Sequence, residues 1–409
     1  FSLLLNSDHY NYMADTVPRG PFAILLVSVF LGLLGLGIVL PLLPVFVEEF
    51  NASPFWIGAL FAGYGLSRIL FTPSIGSLSD RYGRKWFITA GLGLYTVVSI
   101  WYIFAGSIME LFVIRFVHGI ASALISSVSM SYVGDITPRG QEGAYQGKLS
   151  NAFYLGMGCG PIVGGVIYNA FGLTPVFLLM AVMAFIPFLL CIRFLPESKP
   201  GLRTTPRIWN AFSHPRMQAI LFFRFMNTFP YAAFMVFIPV LAATQYGFSA
   251  TVAGVIIAIE VLSMAMSLGY FGKMADRYKR SHMIVVGTIM VSFGTLALVY
   301  VHMLPAIALF ALLIGVGNAM AIAAATAVVA LDGRDLGQGV AMGAFNTVMS
   351  IGIVVPPLIY GIMVTAWGID SIYIFSGVIS LLTLLPFWWL VLRSRRLVPP
   401  LGTEVATVS

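Results

Sequence analysis

Long apolar stretches alternate with short polar ones along nearly the whole chain. The first, "ILLVSVFLGLLGLGIVLPLLPVFV" from Ile24 to Val47, has no charge and a single serine. A helix needs about 20 apolar residues to cross about 30 Å of hydrocarbon, and stretches of that length recur twelve times. They predict spans at roughly 22–47, 55–76, 86–106, 109–134, 147–171 and 174–195. A second set follows at roughly 216–244, 250–272, 283–302, 305–328, 338–366 and 369–392. The fold class this implies is an all-α polytopic membrane protein.

Composition removes the soluble alternative. Hydrophobic residues make up 59% of the 409-residue chain and charged residues 9%, with a mean hydropathy of +0.95. A soluble domain with this content would expose more apolar surface than water tolerates. The first apolar stretch is too long for a cleavable signal and lacks small-residue cleavage spacing, and Met13 is a candidate start. Cys159 and Cys191 both fall in predicted spans, so neither a disulfide framework nor a metal site is expected.

Charge then orients the spans. With both ends in the cytoplasm, every Lys and Arg except Arg68, Arg115 and Arg224 falls in a tail or on the cytoplasmic side of a span, as retention of positive charge requires. Acids occupy the outer turns instead, at Glu48, Glu49, Glu110 and Asp370. The net charge of +7 is therefore topology, and no nucleic-acid partner is implied. The expected location is a cell membrane, prokaryotic plasma or inner, with both termini cytoplasmic.

Two of the densest charge clusters share a spelling. "GSLSDRYGRK" at 76–85 returns as "GKMADRYKR" at 272–280, 196 positions later. The same shift pairs Gly119 with Gly315, Gly156 with Gly352, Pro161 with Pro357, Gly165 with Gly361 and Gly172 with Gly368. The chain is thus two parallel repeats of six spans related by an axis along the membrane normal. The predicted divisions are a tail at 1–21, bundles at 22–196 and 216–393, a polar linker at 197–215 and a second tail at 394–409.

These residues resemble the major facilitator superfamily. "GSLSDRYGRK" is similar to its loop 2–3 signature, "RFVHGIASA" from Arg115 to its span 4 signature, and "GMGCGPIVGG" at 156–165 to the span 5 signature of its antiporters. "GLGIVLPLLPVF" and "DITPRGQEG" are most similar to the twelve-span drug:proton antiporters. The resemblance implies two six-helix bundles with pseudo-twofold symmetry, alternating access between them, and a monomer.

In the loop signature, Gly76 is read as ending span 2 and Asp80 as a carboxylate aimed at a helix N-terminus, where free amides favour an anion. The resemblance makes that terminus the start of span 11. Arg84 can reach Asp135, and Arg280 can reach Asp332. Gly76, Asp80, Arg81, Gly83, Arg84 and Asp135 thus make one cytoplasmic latch, and Gly272, Asp276, Arg277, Arg280 and Asp332 a second. The alternative is that these arginines serve topology only. In span 5, Gly156, Gly160 and Gly164 clear one helical face for close approach; Pro161 permits a bend, and Gly165 follows.

Ionisable residues inside spans are expensive and face partners or water. Glu260 sits midway along span 8 and is the proton-coupling candidate, with Arg115 and His118 one turn apart on span 4 as its accompaniment. A static ion pair for Glu260 and a merely packed His118 remain alternatives. Arg68, Arg224, Asn151, Asn227, Asn318 and Asn346 are candidate substrate-cavity residues, or glue between helices. No hydrolase, metalloprotease or phosphate-loop signature is present, so no enzyme activity and no cofactor are expected. The functional expectation is proton-coupled antiport of small amphipathic or drug-like molecules across the lipid bilayer. An organic-anion transporter with a positively charged cavity is the main alternative, and a non-transporting sensor the other.

Overall fold

A computed structural model describes residues 19–137, 141–198, 209–336 and 338–397. Of the predicted tails and linker, 1–18, 199–208 and 398–409 lie outside the described residues.

Twelve long helical segments succeed one another, with no strand among the described residues. The first six are α1 (Gly20–Glu49), α2 (Phe55–Tyr82), α3 (Lys85–Ile103), α4 (Ile108–Ile136), α5 (Glu142–Phe171) and α6 (Leu173–Phe194). A short helix, Trp209–Ser213, precedes the second six. These are α7 (Pro215–Thr244), α8 (Ala250–Arg277), α9 (Arg280–Ala297), α10 (Leu304–Leu336), α11 (Gln338–Trp367) and α12 (Asp370–Arg393). Proline marks the irregular points, because it has no N–H for the helical ladder. Pro41 and Pro44 accompany a 3₁₀ turn at Leu40–Leu42 inside α1, and α12 breaks at Thr383, three residues before Pro386.

Eleven of these helices are long and apolar enough to cross a bilayer. The exception is α5, which has the length, 30 residues. Its glycines, with Asn151, Tyr154 and Pro161, dilute its apolarity, and that dilution is what lets it pack closely.

Contacts divide the chain into two compact units. One comprises Phe1–Arg203 with Val236–Leu262, the other Thr204–Met235 with Ser263–Ser409. In the first, α1 packs chiefly on α5, α2 on α4, and α3 on α4 and α6. In the second, α9 packs on α10 and α12. The pairs α3–α4 and α9–α10, like α3–α6 and α9–α12, repeat the internal symmetry of the sequence.

Candidate functional site: polar clusters inside the helices

Helix α4 starts on a serine N-cap. Ser107 Oγ accepts from Glu110 N at 3.2 Å, and the Glu110 carboxylate accepts from Gly106 N at 2.9 Å and Trp101 Nε1 at 2.8 Å, satisfying amides at the helix start. From that anchor Arg115, His118, Ser122, Ser126 and Ser129 follow at three- and four-residue intervals, so they share one stripe of α4. All five are buried.

Arg115 is fully buried, 0% exposed. Its Nε donates to Leu60 O at 3.3 Å, and its guanidinium carbon lies 5.0 Å from the Tyr64 ring centroid and 6.0 Å from that of Phe61. Its two buried terminal nitrogens make no well-formed hydrogen bond among the described residues, and the Tyr102 hydroxyl is the side-chain oxygen that interacts with this guanidinium. His118 Nδ1 is hydrogen-bonded to the Tyr102 hydroxyl at 3.2 Å. Tyr95, Tyr64 and Tyr102 stand edge-on to its ring at 4.6, 5.5 and 6.0 Å, the arrangement aromatic quadrupoles prefer.

A turn below, half-buried Arg68 extends from α2 to the same stripe. Its Nη1 donates to Ser122 Oγ at 2.6 Å, Ser126 Oγ at 3.2 Å and the Tyr64 hydroxyl at 3.4 Å. The guanidinium carbon is 5.8 Å from the Tyr64 ring centroid, so both arginines attend one tyrosine. Among the described residues, no carboxylate pairs with either.

The other predicted cavity residues do not join this cluster. In the second unit the Arg224 guanidinium lies 4.8 Å from the Phe345 ring centroid, and Asn227 Nδ2 donates to Asn318 Oδ1 at 3.1 Å. Both asparagines are buried, as expected of interhelical glue. Asn151 and Asn346 are exposed. Glu260, on the part of α8 that belongs to the first unit, is 1% exposed.

At the α2–α3 turn, the Arg84 fork meets two carboxylates. Nη2 pairs with Asp80 Oδ1 at 2.7 Å, and Nε pairs with Asp135; Nη1 also donates to Ser79 Oγ at 3.3 Å. Helix α2 runs on to Tyr82, so Gly76 does not end it, and open space surrounds that glycine. The turn instead belongs to Gly83, whose φ of 95° suits glycine. A Cβ there would also meet the Glu197 carboxylate carbon at 2.5 Å. Glu197 accepts from Arg84 N at 2.6 Å and Lys85 N at 3.0 Å, capping α3, while Ser198 Oγ donates to Asp135 at 3.3 Å. Arg81 is exposed beside Tyr82.

The second copy is built differently. Arg280 pairs with Asp276 at 3.9 Å, whereas buried Asp332 lies 3.7 Å from Arg216 Nη1 and 3.8 Å from His214 Nδ1. Arg216 comes from the first turn of α7 and His214 from the residue just before it. Lys279 replaces the glycine-like turn residue with φ −66°. Gly272, like Gly76, has open space around it, and Arg277 is exposed.

Helix α5 uses its glycines on two faces. A Cβ at Gly160 would lie 2.7 Å from Gly37 Cα, and one at Gly164 3.0 Å from Ile38 Cα; with Gly156, which meets Phe30, they seat α1. Gly165 and Pro161 turn the other way: a Cβ at Gly165 would lie 2.7 Å from Thr251 Cα, and Gly254 abuts the Pro161 carbonyl. Asn169 Nδ2 donates to Thr251 Oγ1 at 2.7 Å beside them.

The Major Facilitator Superfamily pattern matches residues 25–223 and again 220–408, one match per repeat. The chain belongs to the major facilitator superfamily. It is therefore a multi-pass membrane transporter of small molecules, not an enzyme. It is 26% identical over 364 residues to the uncharacterized MFS-type transporter MJ1560 of Methanocaldococcus jannaschii, covering 87% of this chain and 94% of that one. To multidrug resistance protein 1 of Bacillus subtilis it is 27% identical, over 83% and 88% of the two chains. Its fold matches the solved nucleoside transporter NupG at TM-score 0.76 and 13% identity, over 90% and 99%. Within this superfamily chain, the residues that sequence reasoning omits are Tyr64, Ser122, Ser126, Glu197 and His214. The serines are signalled by their helical register with Arg115, and Tyr64 by standing one turn before Arg68. Nothing in the sequence singles out Glu197 or His214, whose partners are distant in the chain.

Proposed function

We propose that the protein is a proton-coupled secondary transporter that exports small amphipathic molecules by alternating access. The observation that carries this reading is Glu260, a carboxylate 1% exposed within a membrane helix. Such a group is costly to hold charged in a low dielectric, so conformations that differ in hydration would differ in its proton affinity. That difference is what couples a proton gradient to work. The likeness to multidrug resistance proteins supports an amphipathic cargo. On this reading both termini are cytoplasmic, the membrane is the prokaryotic plasma membrane, the unit is a monomer in the bilayer, and the Asp80–Arg84–Asp135 cluster holds the cytoplasmic end of the first bundle closed during part of the cycle. Glu260→Gln keeps size and hydrogen bonding but cannot titrate. It is expected to bind cargo and exchange it down a gradient, while losing uptake into inverted vesicles driven by a pH gradient. Uptake at the wild-type rate would place the proton site elsewhere.

A further inference from the structure

The two arginines on either side of Tyr64 pose a problem of charge. A guanidinium does not lose its proton in a protein, and a charge within the bilayer is tolerated when a counter-charge or water meets it. Arg84, at the membrane's edge, has two carboxylates. Arg68 and Arg115, deeper in α2 and α4, have none among the described residues. Serine and tyrosine hydroxyls solvate Arg68 Nη1 without neutralising it. Arg115 has two buried terminal nitrogens that meet no carboxylate among the described residues, only the neutral Tyr102 hydroxyl, and the aromatic faces of Tyr64 and Phe61 supply only a quadrupole. One compact part of the first unit therefore holds two positive charges and several hydroxyls, with no acid paired to either charge among the described residues.

The geometry also fixes the Arg68 fork. The Ser122 and Ser126 hydroxyls on one nitrogen hold the guanidinium against α4, and the longer Tyr64 contact comes from its own helix. Half-buried, it keeps the remaining fork donors for a planar, bidentate partner. Tyr64 joins the pair: its hydroxyl is 2.6 Å from Ser122 Oγ, and its ring lies against Arg115.

We propose that Arg68, Ser122, Ser126 and the Tyr64 hydroxyl form an anion-recognising subsite between α2 and α4. Arg115, behind the Tyr64 ring, adds positive potential, and the exported molecule is an amphipathic monoanion whose head is a carboxylate or sulfonate. This rests on the transporter reading and names its cargo class. Arg68 is the residue that touches the head; Arg115 is a positioning residue, acting through Tyr64 and through the field.

The test measures binding rather than transport. Purified full-length protein in detergent, at fixed ionic strength, is titrated with 4-phenylbutyrate, 4-phenylbutanesulfonate, 4-phenylbutyramide and 4-phenylbutylammonium, and with the naphthyl and biphenyl homologues of each. Thermal shift and calorimetric Kd are read. Anionic members are expected to bind at least about tenfold more tightly than neutral and cationic members of equal size, as hydrogen bonds to a charged group imply. Arg68→Gln should weaken the anions about ten- to hundredfold and leave the amides unchanged. If Arg68→Gln unfolds, the paired Ser122→Ala and Ser126→Ala variant tests the same fork and should reduce the anion preference. Three outcomes overturn the subsite: amides or amines binding as well as the anions, no anion binding at all, or an anion preference that survives these changes. A protein that prefers amines, yet still loses pH-driven uptake in Glu260→Gln, would lose the subsite and keep the transporter reading.

Discussion

At the residue scale, the α2–α3 turn ranks its own carboxylates. Arg84 is 4% exposed, while its two partners differ: the Asp135 side chain is 10% exposed and that of Asp80 42%. Losing the better-buried partner leaves a desolvated guanidinium short of an acceptor, which costs about 1–3 kcal/mol or more. Losing an exposed ion pair costs about 0–1 kcal/mol. Asp135→Asn should therefore lower the thermal unfolding midpoint in detergent clearly more than Asp80→Asn. Asp80→Asn should nonetheless slow transport if the carboxylate biases one conformation of the cycle; wild-type flux in that variant would leave only topology to the cluster. Gly83→Ala is expected to be worse than either aspartate change, since φ of 95° strains any side chain and the new methyl displaces the Glu197 cap from α3. Restoration of stability by Glu197→Ala in that background would identify the cap as the clashing group.

At the element scale, glycines of one spelling do different things. Gly160→Leu forces a side chain into the backbone of α1 at Gly37 and Ile38, where over-packing costs about 1–3 kcal/mol and sometimes more. Gly76→Ala meets open space inside a helix and should be neutral or stabilising by about 0.5–1 kcal/mol. Paired melting curves decide this: equal losses would mean that the close approach of α1 and α5 is not what fixes these glycines. The contrast also marks what is legible in the sequence. The twelve elements, their order and the repeat are readable because apolar length and a shared spelling are local properties. The difference between Gly76 and Gly160 is not, because it depends on which helix lies opposite. The same limit applies to the repeated loop: "DRY" recurs, but Asp332 meets Arg216 of α7 and His214 just before it, and nothing near Asp332 in the chain announces them. For the anion subsite, half is written in α4 as a polar stripe. The other half comes from α2: Arg68 stands out as a charge inside a span, but Tyr64, one turn before it, is one of 17 tyrosines, and its contact with Ser122 exists only once α2 and α4 are packed together.

At the scale of the whole molecule, the proposed proton carrier and the proposed anion subsite make a joint electrical statement. If one proton enters for each monoanion that leaves, both movements carry positive charge inward, so each cycle transfers two charges; a neutral cargo would transfer one. A charge crossing 100 mV is worth about 2.3 kcal/mol, and tenfold accumulation is worth about 1.4 kcal/mol. With no pH gradient, accumulation of the anion should then rise about tenfold for every 30 mV of imposed potential, and that of its amide about tenfold for every 60 mV. Proteoliposomes clamped with potassium and valinomycin give both slopes for the tightest-binding anion and its amide. Glu260→Gln should flatten the amide slope, because the proton was its only moving charge. Equal slopes for anion and amide in the wild-type protein would mean that no negative charge crosses with the cargo, and Arg68 and Arg115 would then be balanced by something other than the substrate.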